Sequence, residues 1–398
     1  MVTRTTKKLT ELGYVGRGKS KHRPRNDQSL YGGKYPFIQT GDVKETQLYI
    51  SKYSQTYNEK GLAQSKLWNP GTLLITIAAN IAETAILKIP ACFPDSIVGF
   101  VPNKDTDVRF VKYYIDFIKR NIQAVSMGTT QDNLSLDKLS SFNYETPDYV
   151  GQQKIASILS AYDDLIENNN KRIKILEQIA KSIYIEWFEN SHDTFMEVEL
   201  SKLVTTQYGY TESAKVEAVG PYYLRGTDIN KKSYIVWDEV PFCPINETDY
   251  KKYKLEDKDI VVIRMADPGK IGIVEKQINA VFASYLIRLR IIDDKITPYY
   301  LFYFLISDIY QNFIKGASNG TTRQSASAKV ITDIKIPVPS IELQNKFEEK
   351  VKKIRELIIN LVDKNTVLKK TKNLLLPKLI SGELDIGDLD IKIRPEIL

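Results

Sequence analysis

The chain is written twice. Gly128-Thr129-Thr130 returns as Gly320-Thr321-Thr322, 192 positions later, and Pro147 and Gln152 return at the same spacing as Pro339 and Gln344. Earlier, Pro36-Phe37-Ile38 followed by Gly41-Asp42 returns as Pro221-Tyr222-Tyr223 followed by Gly226 and Asp228. A period this long is not that of a solenoid, whose units run to about 20–50 residues. It predicts a whole module, a strand-rich part plus one long helix, made twice. Two similar modules with different details fit a protein that reads two similar but non-identical things.

Within each module the pattern is α+β. In the first, Tyr35 to Ile38, Thr72 to Ile77 and Ile97 to Val101 are β-rich runs bounded by Gly, Pro or Asn, and Val108 to Ile122 reads as a helix. In the second, Tyr222 to Leu224, Ile260 to Ile263 and Tyr285 to Arg290 repeat the strands, and a helix is expected from Pro298 to Phe313. Proline suits the first turn of a helix, where its missing N–H has no intrahelical partner to lose.

Two long helices close the modules. From Gln152 to Phe188 there is no proline or glycine, and apolar residues recur in alternating steps of four and three from Ile155 to Trp187, interrupted at Asn169. The same seam runs from Phe347 to Leu379, interrupted at Asn365 and Lys372. An antiparallel pairing that sets Asn169 against Asn365 also sets Ile173 against Leu361, Leu176 against Ile358, Ile183 against Val351 and Trp187 against Phe347. Only Tyr162 against Lys372 is mismatched, and a lysine stem can lie along a tyrosine ring. A parallel pairing in register leaves each asparagine against a hydrophobe, whereas a facing polar pair fixes register. The expected architecture is therefore two globular strand-rich domains separated by an antiparallel coiled coil, related by a pseudo-two-fold axis. About 40 helical residues span about 60 Å, longer than the roughly 35 Å of one duplex turn. Trp187, Phe188 and Tyr184 are expected on an exposed side of the rod, awaiting a partner.

The expected boundaries are residues 1–148 for the first domain, 149–190 for the central helix, 191–339 for the second domain, 340–382 for the C-terminal helix and 383–398 for a tail. The 398 residues suffice for two cores, and the net charge of +7, though mild, has the right sign for a nucleic-acid partner. Cys92 and Cys243 have no metal-ligand spacing, so a reducing cytoplasm is expected. No signal peptide and no membrane-spanning run is read from the sequence.

Gly13-Tyr14-Val15-Gly16-Arg17-Gly18-Lys19-Ser20 matches the phosphate-loop pattern letter by letter, but a phosphate loop needs a buried strand before it and a helix after it. Here the preceding residues are polar and basic, and the following ones contain Pro24. The stretch reads better as a DNA-facing loop, because Arg17, Lys19, Lys21, His22, Arg23 and Arg25 gather donors for guanine edges and phosphates. Its bland alternative is a solvated basic loop. Gly128-Thr129-Thr130-Gln131-Asp132-Asn133 and Gly320-Thr321-Thr322-Arg323-Gln324-Ser325 are hydrogen-bond formers suited to DNA, or ordinary turns with helix caps. Their divergence after the shared Gly-Thr-Thr fits two different base sequences. Catalysis finds little support: two histidines stand in unrelated contexts, no metal-ligand cluster is present, and Asn69-Pro70-Gly71 is not the Asn/Asp-Pro-Pro-aromatic motif of an amino-methyltransferase.

At this point the chain resembles the specificity subunit of type I restriction-modification systems. The resemblance covers nearly the whole chain and rests on the domain-helix-domain-helix layout, on Pro36 to Val43, on the Gly-Thr-Thr segments, on Pro147 to Gln153 with its second copy Pro339 to Asn345, and on Leu375 to Leu384. It implies that each domain reads one half of a bipartite DNA target, that the helices set the gap, and that the subunit itself catalyses nothing. It further implies two methyltransferase subunits carrying S-adenosylmethionine, a restriction subunit using ATP and Mg, and no cofactor in this chain. By position, the resemblance points to Gln39, Thr40, Thr129, Thr130, Gln131 and Asn133 in the first domain, and to Tyr208, Tyr210, Arg225, Arg264, Thr321, Thr322, Arg323, Gln324 and Ser325 in the second. Three alternatives stay open: a recognition subunit for a fused restriction-methylation enzyme, a nucleotide-dependent enzyme using Lys19, and a non-enzymatic scaffold.

Overall fold

The computed structural model describes residues 3–127, 134–318 and 325–394. The chain forms two compact units, Met1–Asn168 with Val367–Leu398, and Asn169–Thr366.

The first unit is built on a five-stranded sheet in the order Gly13–Arg17, Ile97–Pro102, Leu73–Thr76, Thr84–Leu87, Tyr49–Ile50. Its central strands are buried along their whole length, because alternate side chains feed two different cores. Leu73, Ile75, Ile86 and Phe100 face a core shared with the helix Val108–Met127 and with Ile155 and Leu159 of the first long helix. Leu74, Ala85, Leu87 and Ile97 face a second core with Ile38, Val43, Trp68 and Phe93. Asn69-Pro70-Gly71 is the turn into Leu73–Thr76, with Gly71 at φ +82°.

The second unit repeats this plan. Its antiparallel sheet runs Val204–Tyr208, Leu286–Ile291, Ile260–Ile263, Ile271–Ile273. Ile260, Val262, Ile287 and Leu289 face one core, and Val261, Ile263 and Leu286 the other. The expected helix from Pro298 to Phe313 is in fact two, Pro298–Ile306 and Asp308–Ser318. Ser307 between them is extended (φ −69°, ψ 159°), its N–H ending the first helix on the Phe304 carbonyl.

The repeat of Pro147 and Gln152 has a structural cause. The buried Gln152 Oε1 accepts from the Asp107 N–H, and its Nε2 donates to the carbonyls of Asp105 and Pro147. Gln344 does the same with the Thr297 N–H and the carbonyls of Lys295 and Pro339. One glutamine thus satisfies three backbone groups where each long helix leaves its domain.

The long helices are Tyr149–Tyr184, continued by a wider turn Ile185–Glu189, and Ile341–Ser381, which runs through Pro377. In the second unit they pair antiparallel. Asn169 Nδ2 donates to Asn365 Oδ1 at 2.8 Å, and Asn365 Nδ2 to Asn170 Oδ1 at 2.9 Å. Ile173 packs with Ile358 and Leu361, with Leu176 against them. In the first unit Ile155 and Leu159 share a core with Leu379 and Ile380, the same antiparallel sense. Lys372 resolves its mismatch through its charge: Nζ lies 2.6 Å from the buried Asp163 Oδ1, whose other oxygen accepts from the Tyr113 hydroxyl. The expected exposed aromatic cluster is overturned, since Tyr184 and Phe188 are buried in the domain core and only Trp187 is partly exposed.

Replacing Asn169 with Leu is expected to cost about 1–3 kcal/mol, because the Asn365 amide loses an acceptable partner in a buried seam. The double change Asn169→Leu/Asn365→Leu should recover most of that loss, which chemical denaturation of the two variants measures. Equal losses in single and double variants would contradict a paired-amide role.

Candidate nucleic-acid interface

In the first unit the phosphate-loop letters form a strand. Gly13–Arg17 pairs antiparallel with Ile97–Pro102. Gly18 N–H then donates to the Ile97 carbonyl and Lys19 N–H to the Phe93 carbonyl, laying the chain so close that a Cβ on Gly18 would stand 2.3 Å from the Pro94 oxygen. No helix follows at once, so these residues cannot cradle a phosphate as that motif does.

The basic segment after it is ordered by its own contacts. Gln64 Oε1 accepts from the N–H groups of Lys21 and His22. Arg23 donates to the Ser20 carbonyl at 2.7 Å. Asp95 lies 2.6 Å from Arg25 and 3.9 Å from Arg23. His22 Nε2 meets Asp27 Oδ2 at 2.7 Å. The Asp27 carboxyl is held down to about 2, first by the Ser29 backbone N–H. The arginines are therefore aimed rather than loose, and Arg17, Lys21, Arg23 and Arg25 all remain exposed, with Lys19 half-buried.

This segment meets the other sequence-derived candidates in one place. A cleft of about 550 Å³ is lined by Arg25, Asn26 and Gln28 together with Gln39, Thr40 and Gln55. A smaller adjoining cleft of about 210 Å³ contains Arg17, Arg25 and Ile77. Leu134, the first described residue after the Gly-Thr-Thr segment, donates its N–H to the Ile77 carbonyl at 2.9 Å. Thr129, Thr130, Gln131 and Asn133 lie outside the described residues. Asn26, Gln28 and Gln55 escaped the sequence reading because none belongs to a repeated letter pattern.

The second unit places its candidates at the same backbone positions. Gly209 N–H donates to the Leu286 carbonyl and Tyr210 N–H to the Phe282 carbonyl, and a Cβ on Gly209 would stand 2.2 Å from the Ala283 oxygen. Tyr208 and Tyr210 thus occupy the positions of Arg17 and Lys19. Ala326 N–H donates to the Arg264 carbonyl as Leu134 does to that of Ile77. Arg225 N–H bonds Asp228 Oδ2 at 2.8 Å, and Gln39 N–H bonds Asp42 Oδ2 at 2.8 Å. That geometry corrects the sequence alignment: the aspartates correspond, Gln39 corresponds to Arg225, and Gly226 falls opposite Thr40 rather than Gly41.

Around these positions the second unit gathers different chemistry. The Arg264 guanidinium sits 4.9 Å from the Tyr208 ring centre, and its buried Nε has no hydrogen-bond partner among the described residues. Ser325 bridges to Met265, next to it. The Tyr208 hydroxyl accepts from the Ala328 N–H at 3.0 Å. Tyr210 is packed against Tyr253 and offers less free surface. Asp228 holds Arg225 through Nε at 3.1 Å and Nη2 at 2.8 Å, and these hydrogen bonds push the guanidinium pKa up. Thr321, Thr322, Arg323 and Gln324 lie outside the described residues. Among the described residues no cluster of three His, Cys, Asp or Glu side chains is placed to hold a metal, and no helix is long and apolar enough to cross a membrane.

Residues 1–178 and 199–370 match the family described as type I restriction modification DNA specificity domain. The chain belongs to that family. Its two matches fall on the two halves of the internal repeat. Among curated relatives, the type I restriction enzyme MjaIX specificity subunit of Methanocaldococcus jannaschii is 27% identical, covering 96% of this chain and 94% of its own length. The HindI specificity subunit of Haemophilus influenzae is 25% identical over 66% of this chain and 73% of its own. The crystal structure of a type I restriction-modification S subunit from M. genitalium shares the fold, with a TM-score of 0.60, 18% identity and coverage of 95% of this chain and 96% of that one. Membership of the specificity family agrees with the missing catalytic constellation read from the sequence.

Proposed function

We propose that the chain is the DNA-recognition subunit of a type I restriction-modification complex, each globular domain reading one half of a bipartite target. The observation that carries this reading is the shared backbone frame with exchanged side chains. Four equivalent positions hold Arg17, Lys19, Gln39 and Ile77 in one unit and Tyr208, Tyr210, Arg225 and Arg264 in the other. A conserved frame with different hydrogen-bonding edges is what two different half-sites require.

In this reading Arg17 and Lys21 neutralise phosphates, and Gln39, Thr40, Arg225 and Arg264 face base edges. Thr129, Thr130, Gln131 and Asn133 in the first domain, and Thr321, Thr322, Arg323, Gln324 and Ser325 in the second, also contact DNA. The antiparallel helices set the gap between half-sites and seat two methyltransferase subunits. Those partners hold S-adenosylmethionine and take the target adenine out of the stack. A restriction subunit supplies ATP- and Mg-dependent translocation or cleavage, and the complex works in the cytoplasm.

The test is the salt dependence of duplex binding by the full complex. Affinity should fall linearly on a log–log salt plot, and Arg17→Ala/Lys21→Ala should reduce the slope by about 2 and weaken cognate and scrambled duplexes alike. Binding without salt dependence, or without preference for any duplex sequence, would contradict the proposal.

A further inference from the structure

The position shared by Gln39 and Arg225 carries more information than its place on the interface. In both units this residue is the one before a short helical turn, Thr40–Glu45 in the first and Gly226–Asp228 in the second. In both, its backbone N–H is tied to the carboxylate three residues on. In the first unit Asp42 also accepts from the Ser54 hydroxyl at 3.3 Å, tying the turn to the strand that carries Gln55. The backbone is therefore fixed in the same way twice, while the side chain differs.

In the first unit Gln39 Nε2 donates to Gln55 Oε1 at 2.6 Å, and both residues line the 550 Å³ cleft. Two amides joined by one hydrogen bond still leave one carbonyl acceptor and further amide N–H donors within the same pair. Turning both amides over only exchanges which residue supplies which group. Adenine is the base whose major-groove edge sets an acceptor, N7, beside a donor, N6. Guanine presents two acceptors, and would leave a glutamine carbonyl facing one of them.

In the second unit the equivalent side chain is buttressed instead by a charge. Asp228 takes Nε and one Nη2 hydrogen of Arg225. That leaves Nη1 and the second Nη2 hydrogen as a planar fork along the far edge of the guanidinium. The guanidinium is partly exposed, with 38% of its side-chain surface accessible. Two parallel donors match the O6 and N7 acceptors of guanine.

We propose that this position sets one base of each half-site: the Gln39–Gln55 pair selects an adenine, and the Asp228-buttressed Arg225 selects a guanine. The assignment rests on the recognition reading above. It makes Gln55 and Asp228 positioning residues for specificity, and it carries a further consequence. An arginine placed at position 39 would find Asp42 where Arg225 finds Asp228.

The experiment uses the full chain in complex with its methyltransferase subunit and a duplex library randomised in both half-sites. Methylated duplexes are selected and sequenced, and where a variant no longer methylates, the library is selected by binding to the same complex. Gln39→Arg should move one position of the first half-site from adenine toward guanine, by on the order of tenfold to a hundredfold in preference, with the second half-site unchanged. Gln55→Ala should relax that same adenine position. Arg225→Gln should abolish a guanine preference in the second half-site by a similar factor and leave the first untouched. The proposal is overturned if Gln39→Arg and Gln55→Ala keep the wild-type motif, if the position they alter is not an adenine, or if every guanine survives Arg225→Gln. A wild-type complex that selects no two-part motif at all overturns the recognition reading itself, and this assignment with it.

Discussion

Arg355→Met is expected to destabilise the second unit by about 3–5 kcal/mol. Arg355 is 1% exposed and lies on the second long helix, where its Nε bonds Glu275 Oε1 at 2.7 Å and its Nη2 approaches Glu275 Oε2. Two further donors reach the Ser233 hydroxyl at 2.9 Å and the Ser233 carbonyl at 2.8 Å. Ser233 in turn donates to Glu177 of the first long helix. One guanidinium therefore ties both helices of this unit to a loop and to the end of the strand Ile271–Ile273. Burial alone would lower its pKa, but the Glu275 hydrogen bonds and charge outweigh that, and the net direction is up. Among the described residues, removing the cation leaves the buried Glu275 side chain with the Tyr299 hydroxyl as its one remaining side-chain donor, at 3.1 Å. The double change Arg355→Met/Glu275→Gln should recover much of the loss, because the uncompensated charge is gone. Denaturant unfolding of the three proteins measures this, and a single-variant loss under about 1 kcal/mol would contradict it.

Phe347→Ala should cost a comparable amount, about 3–5 kcal/mol, for a different reason. The ring is fully buried three residues beyond Gln344, where the second long helix leaves its domain. It packs against Phe188 at 5.0 Å between ring centres, Tyr303 at 5.7 Å, Tyr184 at 6.0 Å and Trp187 at 6.3 Å. Four aromatic neighbours cannot collapse into the space the ring leaves, so the cavity term adds to the lost transfer energy. Phe347→Leu should lose markedly less. Equal losses for the two substitutions would show that cavity volume does not decide the effect.

Much of this architecture was legible in the sequence because it is written in periodic letters. The seam positions and the two interrupting asparagines defined an antiparallel pairing, and the Asn169–Asn365 hydrogen bond is its direct expression. The β-rich runs were found because both sheet faces are buried, which leaves continuous apolar stretches. The failures share a cause: contacts made by one atom leave no period. Ser307 breaks a helix whose apolar composition reads as continuous, through its extended backbone alone. Tyr184 and Phe188 looked like a surface cluster because the seam pattern describes only the helix–helix contact and not the domain core they enter. Asp163, the partner of Lys372, sits one residue from the position the seam selects.

The candidate interface was legible in part for the same reason. The basic loop and the Pro36 to Val43 stretch stood out by charge and by repetition, and the cleft brings Arg25 together with Gln39 and Thr40. Gln55 was invisible, since only the register of Tyr31–Phe37 with Gln55–Tyr57 carries it to the cleft. The correspondence of Gln39 with Arg225 was also hidden, because the matching letters Gly41 and Gly226 pull the alignment one residue out of place. Hydrogen bonds to Asp42 and Asp228 identify the equivalent residues where letters mislead.

The most direct test of the account is a methylation map of DNA from cells expressing this chain with the proposed methyltransferase subunit, repeated after exchanging residues 9–148 for the corresponding domain of another family member. Methylated adenines in a two-part motif of fixed gap are expected, with the exchange changing one half-site and leaving the other half and the gap as they were. Methylation independent of any two-part motif, or an exchange that alters both halves at once, would contradict a chain in which each domain reads its own half of the target.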